Sequence, residues 1–223
     1  MIPAKILSRH YDERAARLGD DYRSAHYRFH RSFSERLGFV REKCAGLQGR
    51  RVLDAGCGAG LLTSWLAPSN QVVGLDLSRE MLRMAAQKSL QPVQADGFSL
   101  PFRDGAFDAV LSMETIQHLT DPLPLLKELL RVAAPGSLVL ISSLTRESIF
   151  QKTLWHLRVT NRGLFFHDLP ALANFLKSAG LEDIETIFSG FPLPLRWNAE
   201  RKALPSFLSS FWMMSARKKG KGK

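Results

Sequence analysis

The hydrophobic pattern of these 223 residues is helical at the N-terminal end and then alternates between strand and helix. Ile6, Leu7, Ala15 and Leu18 share one face of a helix predicted over about 3–18, and Gly19 stops it. A second helix is predicted over about 20–46. There Tyr22, Ala25, His26, Phe29, Phe33, Leu37 and Val40 recur in three- and four-residue steps, with arginines on much of the other side. From residue 51 short apolar runs take over, and buried strands are predicted at 51–55, 71–76, 91–96, 107–113 and 137–143. Helices are predicted between them: about 60–67, from the Ser78 N-cap to about 88, and from Asp121-Pro122 to about 133.

Strands alternating with helices imply a parallel sheet with right-handed crossovers. The two leading helices precede the first strand, so they are an N-terminal helical cap able to close over a site. After residue 143 the pattern changes. A variable helical stretch is expected over about 146–160, and a helix over 169–180 with Gly180 as its stop. LEDIETIFSG makes a sixth strand, and residues from about 206 to 218 make a last one. No crossover helix separates these two, so they should pair antiparallel.

Composition narrows the class. Hydrophobic content of 45% and charged content of 23% are ordinary for a globular protein. No apolar run is long enough for a transmembrane helix, and the N-terminus lacks the apolar core of a signal peptide. Cys44 and Cys57 do not form a metal-ligand spacing; both are read as reduced thiols of a cytoplasmic protein without a metal. The net charge of +10 invites a nucleic-acid or anionic-membrane reading. Its distribution argues otherwise: five cations lie in the last seven residues, and residues 1–50 hold eleven Lys and Arg against six Asp and Glu. The middle is near neutral. Nucleic acid is therefore not favoured as a partner, and at most a weak membrane-surface contact is expected. Nothing in the sequence sets the oligomeric state.

The chemistry gathers at VLDAGCGAG, residues 52–60, a strand running into a turn with Gly56, Gly58 and Gly60. A dinucleotide fingerprint would place its third glycine at position 61, which is Leu61; the pattern is acid-x-Gly-x-Gly-x-Gly instead. Such a turn lets backbone approach a ligand because no Cβ intervenes. Asp54, Asp76 and Asp96 end successive strands, on the rim where open parallel sheets bind ligands. Asp76, 20 residues after Gly56, suits the two hydroxyls of a ribose. Asp96 can accept from the amino group of a purine, Leu77 and Phe98 can sandwich the base, and Asp54 can face a cation. A pyrophosphate fits poorly among three carboxylates; a nucleoside carrying positive charge fits well.

VLDAGCGAG, VVGLDLSREML, VQADGFSLPFRDGAFDAVLSMETIQHL and LLRVAAPGSLVLIS resemble, in order and spacing, the motifs of class I S-adenosylmethionine-dependent methyltransferases. The likeness covers about residues 50–143 and is closest to the ubiquinone/menaquinone-type small-molecule enzymes. It implies an α/β, Rossmann-like fold: a seven-stranded, mostly parallel sheet with an antiparallel last strand and helices on both faces. Length and element pattern together give one domain over 1–218, made of a cap (1–46), a cofactor-binding core (50–143), a variable substrate insert and helix (144–180) and the last two strands (181–218), then a basic tail (219–223). The resemblance sets the methionine end of S-adenosylmethionine against Gly56, Cys57 and Gly58, with Asp54 near its ammonium. Asp76 takes the ribose; Leu77 and Met81 border the adenine; Asp96 and Gly97 meet its edge and Phe98 its face. Met113 offers backbone to the methionine amino group. Ala134-Pro135-Gly136-Ser137 departs from the family's frequent Pro-Gly-Gly.

Methyl transfer from a sulfonium needs an aligned nucleophile more than any fixed catalytic group, so no universal catalytic residue is expected. His118 and Glu114, in METIQHLTD just past the fourth strand, are the candidates for moving a proton. Tyr11, Tyr22, His26 and Tyr27 are read as core aromatics that can also line a pocket, and Trp155, Phe165 and Phe166 as an apolar lid. The expected activity is methylation of a small-molecule acceptor, an apolar one such as a quinone precursor or lipid-like compound, leaving S-adenosylhomocysteine. An RNA or protein methyltransferase, and a non-catalytic binding module of the same fold, are the alternatives.

Overall fold

The computed structural model describes residues 4–19, 21, 30–145, 164–189 and 211–220. Helix α1 spans Ala4–Leu18 and α2 spans His30–Cys44. Then come β1 (Arg51–Ala55), β2 (Gln71–Asp76), α3 (Arg79–Ala86), β3 (Gln91–Gln94), β4 (Phe107–Ser112), α4 (Leu123–Val132), β5 (Ala133–Leu144), α5 (Leu169–Ser178), β6 (Leu181–Ser189) and β7 (Phe211–Lys218). The predicted stretch at 146–160, Trp155, residues 22–29 of the second helix, 206–210 of the last strand and the end of the basic tail lie outside the described residues.

The seven strands form one sheet in the order β3-β2-β1-β4-β5-β7-β6. The pairs from β3 to β5 are parallel, whereas β7 runs antiparallel to both β5 and β6. The expected sheet with an antiparallel last strand is thus the observed one. Chain order reverses between β1 and β4, which opens a crevice at their carboxyl ends. Successive strand residues point to opposite faces. On one face Leu53, Val110, Val139 and Trp212 pack with Leu126, Leu129 and Leu176 of α4 and α5. On the other, Val52, Leu111, Leu140 and Met213 pack with Phe39, Val40 and Cys44 of α2. Each fully buried side chain of this size contributes roughly 1.5–3 kcal/mol, so both faces hold the sheet rigid behind the crevice.

Three expected boundaries are corrected. The helix predicted at 60–67 is a series of turns with a 3₁₀ turn at Ser64–Leu66 only. Thr63 turns its hydroxyl to the Asp54 carboxylate at 2.6 Å, and Pro68 cuts the segment short; hydroxyl side chains favour such local alternatives to a helix. Strand β3 ends at Gln94, which leaves Asp96 beyond the strand in a turn where its Oδ1 accepts from Phe98 N at 3.0 Å. Strand β5 begins at Ala133, four residues before the predicted start, and carries Pro135-Gly136 within it. The β4–β5 register shifts there between Phe107 and Ala109, and Gly136 takes φ +77°, which is how a strand accommodates a proline.

The start of α3 has two caps. Ser78 Oγ accepts from Met81 N at 3.1 Å, as the sequence predicts, and Ser78 Oγ in turn donates to Asp12 Oδ1 of α1 at 2.5 Å. Asp12 Oδ1 also accepts from Glu80 N at 3.1 Å. Ser8 Oγ donates to Leu77 O at 3.0 Å, and Ala15 is buried against Ala59, Met81 and Met84. Helix α1 is therefore fastened across the rim of the crevice.

Candidate active site

A cleft enclosing about 1110 Å³, its open mouth included, occupies the crevice under α1. Asp54, Gly56, Cys57, Gly58, Asp76, Leu77, Met81, Asp96, Gly97, Phe98, Met113, Glu114 and His118 all lie on its wall. The candidate residues are thus brought to one place, although they span 65 positions of chain from Asp54 to His118 counted inclusively.

The floor is the glycine turn. Gly56 N and Cys57 N both donate to Leu75 O, at 2.7 and 3.0 Å, and Gly58 N donates to Asp76 Oδ2 at 2.9 Å. Gly56 takes φ +81°, and a Cβ there would lie 2.1 Å from Thr115 Oγ1. Glycine at 56 is therefore required twice over, by the left-handed backbone and by the close approach of the chain after β4. At Gly58 a Cβ would meet nothing within 4 Å; only its φ of +52° selects for glycine.

The walls are acidic. Asp54 is 3% exposed, and burial raises its carboxyl to about 7, against the Thr63 hydrogen bond and with the help of nearby Asp76. Asp76 is raised as well, chiefly by burial, opposed by the backbone N–H groups of Ser78, Gly58 and Leu77. Its Oδ1 accepts from Ser78 N at 2.9 Å, so the carboxylate is held rigidly at the corner between β2 and the glycine turn. Burial pushes the Cys57 thiol well up, and Asp76 and Asp54 add to it. That thiol stays protonated and serves as a small wall group.

Past β4 the wall turns. Glu114 takes φ +59° and is held on three sides. Its Oε2 pairs with Arg36 Nη2 at 3.0 Å, its Oε1 accepts from Ser142 Oγ at 3.0 Å, and its N–H donates to that same oxygen at 2.9 Å. Arg36 is itself 4% exposed, its guanidinium stacked 3.5 Å above the centre of the Phe211 ring. A carboxylate in such a pair acts as a fixed negative charge. His118 is half-buried in the wall, and its loss of solvent lowers it to about 4, with Glu114 opposing and His10 adding to the fall. Its ring is therefore neutral near pH 7, and its Nε2 lies 3.0 Å from the Tyr11 hydroxyl.

Several wall residues escaped sequence reasoning. Leu7 and Ser8 line the cavity beside Tyr11; their three- and four-residue spacing on α1 was the available signal, but it reads equally as a core face. Thr115 and Leu119 lie on the wall with nothing in their local sequence to mark them. Of the predicted lid, Phe165 N donates to Gln117 O at 2.7 Å, and neither Phe165 nor Phe166 is on the cavity wall.

No lysine or arginine lines this cavity among the described residues, and four carboxyl side chains do. A phosphate-bearing cofactor would meet a repulsive field there. S-adenosylmethionine, with a sulfonium and an ammonium, meets an attractive one, and its ribose and base match the rigid Asp76 corner and the apolar Leu77, Met81 and Phe98. The residues present fit it.

The comparisons with known proteins agree. The methyltransferase-domain family matches residues 53–141. The ubiquinone biosynthesis O-methyltransferase of Bordetella pertussis is 32% identical over 164 residues, covering 66% of this chain and 68% of that protein. A S-adenosylmethionine-dependent methyltransferase of Thermotoga maritima has the same fold, with a TM-score of 0.70 at 21% identity over 94% of this chain and 100% of that one. So does phosphoethanolamine N-methyltransferase 2 of Haemonchus contortus in complex with S-adenosyl-L-methionine, with a TM-score of 0.64 at 20% identity over 84% of this chain and 53% of that one. Among the described residues no helix is long and apolar enough to cross a membrane, and no group of side chains is arranged to hold a metal ion. By kinship, by fold and by the charge of its cavity, the chain belongs to the class I S-adenosylmethionine-dependent methyltransferases, as an enzyme of the ubiquinone type with S-adenosylmethionine as its cofactor.

Proposed function

We propose that this enzyme methylates a hydroxyl oxygen of a small apolar acceptor, such as a quinone precursor or lipid-like compound, that enters beside His118. The observation that carries the reading is a neutral imidazole, 3.0 Å from a tyrosine hydroxyl, in a cavity wall that also holds Leu7, Met113 and Leu119. Apolar side chains and one basic nitrogen in the same wall suit an apolar molecule with one acidic hydroxyl. The relatives named for an O-methyltransferase reaction in ubiquinone biosynthesis support the choice of oxygen. An RNA acceptor is less well supported, because among the described residues no lysine or arginine lines the cavity to meet a phosphate.

When bound, the cofactor supplies a methyl group on a positively charged sulfur whose departure leaves a neutral thioether. The chain's part is to align and to hold charge. Asp76 accepts from the ribose hydroxyls, Asp54 faces the ammonium together with the Met113 backbone, and Gly56, Cys57 and Gly58 bring backbone to the methionine end. Leu77 and Met81 border the adenine, Asp96 and Gly97 meet its edge and Phe98 its face. Glu114, fixed by Arg36 and Ser142, adds negative charge near the transfer point. His118 takes the acceptor's proton as the new C–O bond forms. Alignment of this sort is worth about 7–11 kcal/mol, and a placed base adds about 10²–10⁴-fold. The domain organisation read from the sequence and a cytoplasmic setting, with both thiols unpaired, complete the reading.

The test is methyl transfer from labelled S-adenosylmethionine to a panel of phenols and catechols of rising apolar bulk, with amines and RNA as comparators. Transfer to the hydroxyl compounds, reduced at least about a hundredfold in His118→Ala with cofactor affinity retained, is the expected result. Transfer only to amines or RNA, or an unimpaired His118→Ala enzyme, would refute it.

A further inference from the structure

Three contacts of α1 cross the rim of the cavity. Asp12 holds Ser78, whose own N–H lies on the Asp76 carboxylate. Ser8 holds the Leu77 carbonyl. Tyr11 reaches His118 Nε2 at 3.0 Å, with the two rings edge to face and their centres 5.8 Å apart. One helix therefore touches both the corner assigned to the ribose and the imidazole assigned to the proton.

A neutral imidazole has one N–H and one lone pair. If Nε2 accepted from the phenol, the lone pair would be spent and His118 could not take a proton. If Nε2–H donates to the phenol oxygen, Nδ1 keeps its lone pair and the ring remains a base. We propose that Tyr11 is a positioning residue of the transfer reaction: its oxygen accepts the Nε2–H of His118, fixes the tautomer with a basic Nδ1, and does so because α1 is seated on the rim. This rests on the reading of His118 as the base. The arrangement also steadies the imidazolium that forms when the proton arrives, since a hydrogen bond from the charged form favours it. The other ionisable groups acting on the pair are His10 and Arg14 on α1, Glu114 after β4 and Asp76 at the end of β2.

Tyr11→Phe removes the oxygen and keeps the ring that packs with Ala15, Ala59, Met81 and Met84. Nitrogen-15 NMR of histidine-labelled enzyme, with no acceptor present, reads the tautomer directly. In the wild type at pH 7 the His118 signals should be those of an Nε2–H ring; in Tyr11→Phe they should shift toward a mixture, and the ring should protonate at lower pH. With a catechol as probe, kcat should fall roughly tenfold, the value of one hydrogen bond lost in the transition state, while KM and the cofactor dissociation constant stay within about twofold. In a His118→Ala background Tyr11→Phe should change nothing further. An Nδ1–H tautomer in the wild type, an identical spectrum in Tyr11→Phe, or multiplicative effects of the two substitutions would overturn the proposal. If the wild type shows the Nε2–H tautomer but methylates no hydroxyl probe, the acceptor reading fails, and with it the role of Tyr11 in transfer, while its hold on the His118 tautomer stands.

Discussion

Cofactor binding should expel a proton from Asp54. In the folded protein burial raises this carboxyl to about 7, from 3.8 in an exposed chain. Between those values the folded state holds a proton that the unfolded chain has released. The stability this confers is full below the unfolded value and is lost as pH rises through about 7. The buried carboxylate costs on the order of 4 kcal/mol above pH 7, at about 1.4 kcal/mol per pH unit, even though Thr63 Oγ1 donates to it at 2.6 Å. An ammonium placed against Asp54 favours the charged form, so the bound state should be deprotonated where the free state is not. Affinity for S-adenosylmethionine should then fall about tenfold per unit below pH 7 and level off above it, with about half a proton released per molecule bound at pH 7. Titration calorimetry in buffers of different ionisation enthalpy measures that release, and dissociation constants from about pH 5.5 to 8.5 measure the slope. Asp76 is raised in the same sense, so Asp54→Asn is the control that isolates one carboxyl. The variant should lose most of the release, bind more weakly at pH 8, and be more stable to urea there than the wild type. A flat pH dependence and no proton release in the wild type would refute the placement of the ammonium.

Gly56→Ala should lower stability by roughly 2–4 kcal/mol in urea unfolding, from the left-handed backbone and the collision with Thr115, and Thr115→Gly should restore part of it; an unchanged midpoint would contradict the packing. Arg36→Met should cost about 3–5 kcal/mol by leaving Glu114 buried without its partner, and Arg36→Met combined with Glu114→Gln should recover much of that loss in the same assay. His118, lowered to about 4 by burial, should make the protein lose stability as pH falls from about 6.5 to 4, by about 3 kcal/mol, because the unfolded chain takes up a proton there that the folded one refuses. Subtracting the pH–stability curve of His118→Asn isolates this loss from the opposite contribution of Asp54; parallel curves would show that His118 is not desolvated as described.

Much of this enzyme is written locally. The strands at 51–55 and 71–76 are continuous apolar runs bounded by turn residues, which a strand buried on both faces requires. Ser78 announces the start of α3 because a side-chain oxygen one turn before an amphipathic run can cap it. Asp54 and Asp76 point to the rim because strand ends of a parallel sheet all face one way, and Asp96 joins them from the turn just past β3. The charge of the cofactor follows from those acids in turn.

What the sequence by itself did not determine depends on groups that meet only when the chain is folded. Thr63 sits in a stretch with helical character, yet it turns to Asp54 nine residues earlier, and the local helix gives way to turns. Arg36 looks like one more arginine on a solvated helix face; only the packing of α2 against β7 brings it over Phe211 and onto Glu114. Tyr11 lies 107 positions from His118 and has the spacing of a core aromatic. Local sequence encodes backbone preference and the period of burial. It does not encode which charge a buried arginine will meet, or which oxygen will hold an imidazole, because those partners are chosen by the desolvation of the folded interior, where an unpaired polar group is too costly to leave.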